Sequence, residues 1–322
     1  MKILHSADWH INLHRKKVPS EWSANRFRLF FDKLHELESS HDIHIISGDV
    51  FDRKPEPDEI CLFLRYANAV RIPTYIIPGN HEATKKGESF LEHFHEDYAI
   101  TNPNLVLITR NRRENIMGQN FYFFPYGELQ REVLLPALGN EILVAHIRGE
   151  VPPHITPEYD FEKLRAWKLI LLGDIHFAHR YMDYPAWYSG SPMNTSFDRD
   201  DDREYGVNSI DLRSIDDYSV SFVPLTLPKL IRKTLKAGDQ MRQDSFNHVI
   251  YEVTGSLDQL ANIKNSELLD KKIAIKPSEN SKLDLKNLSL TEELKAYLDY
   301  IKVSNTEEII KDFQGLNINV GA

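Results

Sequence analysis

Five times within its first 176 residues the chain runs a short apolar stretch into a turn and then into Asp, Asn or His. Lys2 to Ser6 leads to Asp8-Trp9-His10. Ile43 to Ile46 leads to Ser47-Gly48-Asp49-Val50-Phe51-Asp52-Arg53. Thr74 to Ile77 leads through Pro78-Gly79 to Asn80-His81-Glu82, Glu141 to His146 ends in its own histidine, and Leu169 to Leu172 leads to Gly173-Asp174-Ile175-His176. Short β-branched and aliphatic runs bounded by Gly or Pro read as buried strands. Helical patterns fall between them, so the alternation implies βαβ units. Such sheets place ligands at the carboxyl ends of their strands, where these side chains would gather.

The intervening segments follow the same reading. Glu21 to Leu37 carries Trp22, Phe27, Phe30, Phe31, Leu34 and Leu37 at helical spacing, and Asp58 to Val70 reads as the next helix. Leu105 to Thr109 and Asn120 to Tyr126 read as strands around a basic turn, Arg110 to Arg113. Val207 to Leu212 and Val220 to Leu225 read as a hairpin that closes the second sheet. Pro224 and Pro228 mark a domain boundary. The stretch from Lys229 to Arg242, with five basic residues, reads as a linker that either contacts a phosphate backbone or is simply solvated. Beyond it, strands His248–Thr254 and Lys272–Lys276 flank a helix, Leu257–Leu269. In the tail, Leu294, Tyr297, Leu298 and Ile301 share a helix face behind a Ser289/Glu292 capping box. Ser304 and Glu307 repeat that spacing ahead of Ile309, Ile310, Phe313 and Leu316.

Composition narrows the function classes. A net charge of −9 argues against a free-standing nucleic-acid binder, which is usually basic, but not against an enzyme that meets DNA through metal ions and a partner. A single cysteine, Cys61, excludes an intramolecular disulfide. Its apolar helical surroundings suggest a buried, inert thiol. The chain lacks an apolar run long enough for a membrane span and a signal-type leader, so the cytoplasm is the expected compartment.

The five strand ends share one chemistry. In an extended segment residues i and i+2 point to the same side, so Asp8 and His10 can grip one cation, as can Asp174 and His176. Mixed oxygen and nitrogen donors suit Mn, Fe or Zn better than Ca. Asp49 can bridge two ions, and Asp52, three residues on, is placed to orient a histidine. His93 and His95 read as surface residues. Asp8, His10, Asp49, Asn80, His146, Asp174 and His176 together suffice for two ions with a shared carboxylate, the arrangement used for in-line phosphoryl displacement.

Asp-x-His, Gly-Asp-x-x-Asp, Gly-Asn-His-Glu, a strand-end His and Gly-x-x-His, in this order, resemble the calcineurin-like metallophosphoesterase superfamily. Tyr188-Ser189-Gly190-Ser191-Pro192 with Ser196-Phe197-Asp198 narrows the likeness to the SbcD-like nuclease subunits of SbcCD-type nuclease–ATPase complexes in double-strand-break repair, phage-encoded recombination exonucleases included. The resemblance covers about the first 225 residues well and the rest loosely.

It implies an α/β (α+β) two-sheet sandwich flanked by helices over residues 1–228. A small α/β capping domain would cover 229–288, and helices over 289–322 would bind the ATPase partner. It implies two Mn²⁺, with Mg²⁺ a substitute, one held by Asp8, His10, Asp49 and His176 and the other by Asp49, Asn80, His146 and Asp174. His81 would support the transition state near the leaving oxygen, oriented by Asp52. The implied partners are DNA and a coiled-coil, SMC-like ATPase, in a heterotetramer containing a homodimer of this chain, in the host cytoplasm for a phage protein. One departure stands out: Gly173-Asp174-Ile175-His176 occurs where the family has Gly-His-x-His. Asp174 then replaces an imidazole on a hard cation, or the second site is weaker, or His179 contributes instead. Arg53 either touches a substrate phosphate or is a plain surface residue. Two other readings remain: a phosphoesterase of small nucleotides or phosphoproteins, separable by Mn-dependent hydrolysis of DNA against a small diester, and a non-catalytic scaffold, which would have lost several ligands.

Overall fold

The computed structural model describes all residues except 84–87, 93, 99, 130, 132, 133, 135, 152–155, 200, 201, 275–287 and 316–322. His93, the end of the expected strand Lys272–Lys276, most of the last stretch before the tail helices, and Leu316 therefore lie outside the described residues.

The first half of the chain alternates as expected: β1 (Lys2–Ser6), α1 (Ser20–Glu38), β2 (Ile43–Ile46), α2 (Pro57–Ala69), β3 (Thr74–Ile76), the short α3 (Phe94–Asp97) and β4 (Leu105–Leu107). The basic stretch at 110–113 differs from expectation. Arg112 and Arg113 begin a strand, β5 (Arg112–Ile116), which forms a hairpin with β6 (Gln119–Phe124). A pair of salt bridges explains how a strand tolerates them: Arg113 reaches the buried Glu141 and Arg112 reaches Glu114. Next come α4 (Tyr126–Leu129), β7 (Glu141–His146), β8 (Leu169–Gly173), β9 (His179–Arg180), β10 (Ala186–Tyr188), β11 (Gly206–Ser214) and β12 (Asp217–Pro224).

These strands make two six-stranded sheets, ordered β12-β11-β1-β2-β3-β4 and β5-β6-β7-β8-β10-β9. Strands β1 to β4 are parallel, as are β6, β7, β8 and β10. The β11–β12 hairpin joins the sheet of β1 rather than the other sheet, because β11 pairs antiparallel along β1, from Lys2 opposite Asp211 to His5 opposite Asn208. Alternation along the strands divides the core. Ile3, Ile43, Ile45, Phe121, Phe123, Ile142, Val144, Leu169 and Leu171 pack between the sheets. Leu4 and Ile46 face α1 and α2, packing with Phe27, Phe30, Leu34, Phe63 and Tyr66. Tyr122, Phe124, Leu143, Ile170 and Leu172 line the outer face of the second sheet. Strands buried on both faces read as near-continuous apolar runs, and that is why they were visible in sequence.

Cys61 is exposed rather than buried. The inward stripe of α2 is Glu59, Ile60, Leu62, Phe63, Tyr66 and Ala67, and position 61 falls on the opposite side.

The expected linker after Lys229 contains a strand, β13 (Leu230–Lys236), in a three-stranded sheet with β14 (His248–Gly255) and β15 (Leu269–Ala274). Only Leu257–Ala261, α5, is helical in the segment expected as a helix to Leu269, and β15 begins where that helix was to end. The tail carries α6 (Leu290–Tyr300), with the Ser289/Glu292 capping box formed, and α7 (Thr306–Gly315). The second helix starts one residue later than a Ser304 cap requires.

The chain divides into two compact units. One comprises residues 1–235, 239–253 and 264–271; the other comprises 236–238, 254–263 and 272–322. No helix among the described residues is long and apolar enough to cross a membrane.

Candidate metal centre

All five ligand-bearing loops leave the carboxyl ends of parallel strands, three from one sheet and two from the other. The first two are zipped together beyond their strands: Asp8 N donates to Gly48 O, His10 N to Asp49 O and Ile11 N to Val50 O, at 3.0, 3.0 and 2.8 Å. The backbone there is not extended. Asp8, His10, Asp49 and Asp174 take φ of +56°, +50°, +55° and +97°. Left-handed backbone is uncommon outside glycine, and strain of this kind collects at functional sites. Left-handed turns, rather than the i, i+2 alternation of a strand, thus bring Asp8 and His10 to one side. Between them Trp9 is fully buried, edge-on to Phe30 and Tyr66, with its Nε1 donating to Ser6 Oγ at 3.0 Å. That anchor holds the turn.

Two glycines make the crowding possible. A Cβ on Gly48, itself at φ +93°, would lie 2.4 Å from His146 Nδ1, and one on Gly79 would lie 2.1 Å from Asp49 Oδ1.

The side chains converge around Asp49. His10, His81 and His146 bring Nε2 to 3.6, 3.9 and 3.6 Å from its Oδ2. The amide end of Asn80 lies 2.9 Å from His146 Nε2 and from Asp49 Oδ2. His10 Nε2 and His176 Nε2 face each other at 3.0 Å. Asp174 Oδ1 lies 3.8 Å from His146 Nε2, while its backbone N–H donates to Asp8. Three overlapping sets can each hold an ion: Asp8, His10 and His176; Asp8, Asp49 and His146; and His10, Asp49 and His81.

Outer contacts set the ring orientations. His146 Nδ1–H donates to Ser47 O at 2.8 Å, which turns Nε2 into the site. His10 Nδ1 lies 3.3 Å from Asp52 Oδ1. His176 Nδ1 lies 3.2 Å from Thr195 Oγ1. Metal-ligating histidines ordinarily show this pattern of a second nitrogen held from behind. Asp52 also accepts from Asn12 at 2.7 Å and lies 3.4 Å from Arg15. Its carboxylate does not reach His81. Instead the Asp52 main-chain carbonyl accepts from His81 Nδ1, at 2.5 Å. Arg53 is committed to Glu59, at 2.9 Å, and not to the site. His179 Nδ1 turns to Phe177 O, and the residue belongs to none of the three sets.

Glu82, given no role by the sequence beyond completing Gly-Asn-His-Glu, ties the centre together. Its buried carboxylate accepts from Gly79 N, Phe51 N and Asp49 N at 2.7, 2.8 and 3.0 Å. Ser191, from the Tyr-Ser-Gly-Ser-Pro run, donates to Asp8 O at 2.6 Å. That run is thus scaffolding under the first ligand loop.

The electrostatics favour a cation. Burial, with Asp49 and Asp174 nearby, raises Asp8 well above its ordinary value against the opposing pull of His146, and burial likewise raises Asp174. Burial and Asp49 push Glu82 to about 7. Burial disfavours a charged His146, but Asp49, Asp8 and Asp174 overcome this and lift it to about 9. Burial, helped by His10, depresses His176 to about 4. Buried carboxylates that resist ionisation, beside one imidazole held protonated (His146) and one held neutral (His176), are a donor set whose crowded charge a divalent ion would relieve by displacing protons. The residues present fit such ions.

Residues 1–205 match the model of the calcineurin-like phosphoesterase family. Over 305 residues, covering 92% of each chain, the sequence is 36% identical to the "Probable exonuclease subunit 1" of Escherichia phage T5. Among solved structures, TT1561 of Thermus thermophilus aligns with 69% of this chain and 98% of its own, at 12% identity and a TM-score of 0.41. Vps29 of Entamoeba histolytica complexed with zinc aligns with 70% and 99%, at 11% identity and a TM-score of 0.34. The chain belongs to the calcineurin-like phosphoesterase family and is a metal-dependent phosphoesterase.

Proposed function

We propose that the chain is the nuclease subunit of a DNA-processing complex, hydrolysing DNA phosphodiesters with two Mn²⁺. The observation that carries the reading is the convergence of Asp8, His10, Asp49, Asn80, His146, Asp174 and His176 on one point. The extensive identity to a phage exonuclease subunit supports DNA as the substrate.

Asp8, His10, Asp49 and His176 would hold one ion, and Asp49, Asn80, His146 and Asp174 the other. Bound ions would supply charge neutralisation at the scissile phosphate and acidification of water. The remaining steps fall to the chain's own side chains. His81 is the most exposed of the histidines at the centre, with 37% of its side chain accessible. With Nδ1–H held by the Asp52 carbonyl, its Nε2 is free to deliver a proton to the departing sugar oxygen. Asp52 acts on the metal side, holding His10. Arg15 stands beside Asp52 as a cation at the rim.

The tail helices fit a partner-binding role. Tyr297 and Tyr300 on α6, and Ile301 just after it, are exposed, and we assign residues 289–322 to the coiled-coil base of an SMC-like ATPase, in a heterotetramer containing two copies of this chain. The segment 229–288 would serve as a capping domain, and the host cytoplasm as the compartment. The test is cleavage of duplex and single-stranded oligonucleotides by the purified chain with Mn²⁺, with and without the ATPase. Mn-dependent cleavage that the ATPase stimulates on duplex supports the assignment. Hydrolysis of small diesters with no cleavage of DNA would overturn it.

A further inference from the structure

One aromatic column stands beside the metal centre without a part in it. Phe177 directly follows the candidate ligand His176, so their Cα atoms are about 3.8 Å apart. Its ring stacks on His179 with centroids 4.4 Å apart and planes at 21°. His179 in turn stacks on Tyr188, at 5.0 Å and 12°. The column is anchored at its base. Tyr188 is buried, its OH donating to Ile147 O at 2.7 Å and accepting from Gly149 N at 3.0 Å. The His179 ring is fixed by its bond to Phe177 O, at 3.0 Å. The backbone beneath is fixed too: Gly190, at φ +71°, packs so closely that a Cβ there would lie 2.6 Å from Ala178 N. At the top, 44% of Phe177 is exposed, and the Arg203 guanidinium carbon lies 5.9 Å from the ring centroid.

A large exposed aromatic on a rigid base, one residue from a reactive centre and flanked by an arginine, has the make-up of a nucleobase-stacking platform. We propose that Phe177 stacks an unpaired base of the DNA strand adjacent to the scissile phosphate, and that Arg203 assists on the strand's backbone or on the base itself. The inference rests on the nuclease reading above and adds to it that the strand is single or frayed where it is cut, since inside a duplex both faces of a base are covered by its stacked neighbours. Stacking of this kind is tolerant of base identity, so no sequence preference is expected from it. Phe177 is a positioning residue that touches substrate and moves no proton.

The test pairs a substitution with a missing base. Single-turnover cleavage of single-stranded oligonucleotides with Mn²⁺ is measured for wild type, Phe177→Ala and Phe177→Trp, with an abasic residue walked across the positions flanking the cut. Wild type should lose about tenfold at one abasic position, in keeping with the value of one stacked base. Phe177→Ala should cleave the intact strand about tenfold more slowly and show no further loss at that position. Phe177→Trp should restore both the rate and the abasic penalty. If Phe177→Ala keeps the wild-type rate or the wild-type abasic penalty, or if Phe177→Trp is as slow as Phe177→Ala, the inference is wrong while the nuclease reading stands. A wild-type chain inert on every oligonucleotide overturns the nuclease reading, and this one with it.

Discussion

The carboxylate of Asp52 lies 3.3 Å from Nδ1 of His10. That carboxylate therefore sits behind a candidate metal ligand, while the candidate acid His81 is held by the Asp52 main-chain carbonyl. Burial disfavours its charged form, but His10, Asn12 and Arg15 outweigh that and hold it well below the usual carboxylate range, so it stays charged throughout the working pH range. Asp52→Asn should weaken the affinity of the His10 site for Mn²⁺ by about 10–100-fold, the usual effect of losing such a partner, with turnover partly recovered at high Mn²⁺. A Mn²⁺ titration of activity checks this; an unchanged half-saturating concentration would refute the role.

His81 separates chemistry from binding. Asn80 and His81 are neighbours on one turn and cannot both point at the same ion without strain. Here the Asn80 amide lies 2.9 Å from His146 Nε2 and from Asp49 Oδ2, while His81 Nε2 stands 3.9 Å from Asp49 Oδ2 with 37% of its side chain exposed. His81→Ala should keep its metal content and lose about 10²–10⁴ in single-turnover rate, the contribution of a positioned acid. Metal occupancy falling in step with activity would instead make His81 a ligand, as its place beside His10 and Asp49 also permits.

Glu82 is expected to matter for stability before activity. Glu82→Ala would strip the acceptor from three backbone N–H groups around Asp49, each costing about 1–3 kcal/mol when left buried and unpaired. A clear drop in the urea midpoint, together with weaker Mn²⁺ binding, is the expected result. A midpoint equal to wild type would show that the loops hold their shape without it.

The large features of this chain were legible because they obey simple patterns. Ile43–Ile46 and Glu141–His146 were read with their true bounds, since a strand buried on both faces is a mainly apolar run closed by its turn, and His44 and Glu141 do not hide it. The hinge between loops was not legible. A three-residue spacing places Asp52 near the centre but does not say which histidine its carboxylate meets, and that depends on the left-handed turns at Asp8, His10 and Asp49. Glu82 escaped notice because its three partners come from its own turn and from the loop after β2. Strand β13 was hidden by Arg232, Lys233 and Lys236, whose charges made a strand look like a linker. Cys61 was misplaced because one apolar neighbour on each side does not fix the facing of a helix position.

Metal-free protein should lose stability as pH rises from about 7 to 9. The folded-state pKa of His146 is raised to about 9 against an ordinary 6.5, as burial is overcome by Asp49, Asp8 and Asp174. Its contribution is therefore fully present below about 6.5 and lost as pH climbs through 9. His176, depressed to about 4, works in the opposite sense, but only below its ordinary value, so it does not offset the loss above pH 7. Ligation requires His146 to shed its proton, so Mn²⁺ affinity should strengthen over the same range. Melting curves with chelator and with saturating Mn²⁺ at pH 7, 8 and 9 check both signs. The gap between them should widen with pH, and a gap that narrows would contradict the ligand role of His146.

The most direct measurement is the metal stoichiometry of the purified chain under saturating Mn²⁺, taken alongside phosphodiester cleavage, for wild type and Asp49→Ala. Asp49 is the carboxylate on which His10, His81 and His146 converge. The account predicts two ions per wild-type chain and Mn-dependent cleavage, and in Asp49→Ala fewer ions and cleavage at background. One ion or none in the wild type, with Asp49→Ala still active, would contradict it.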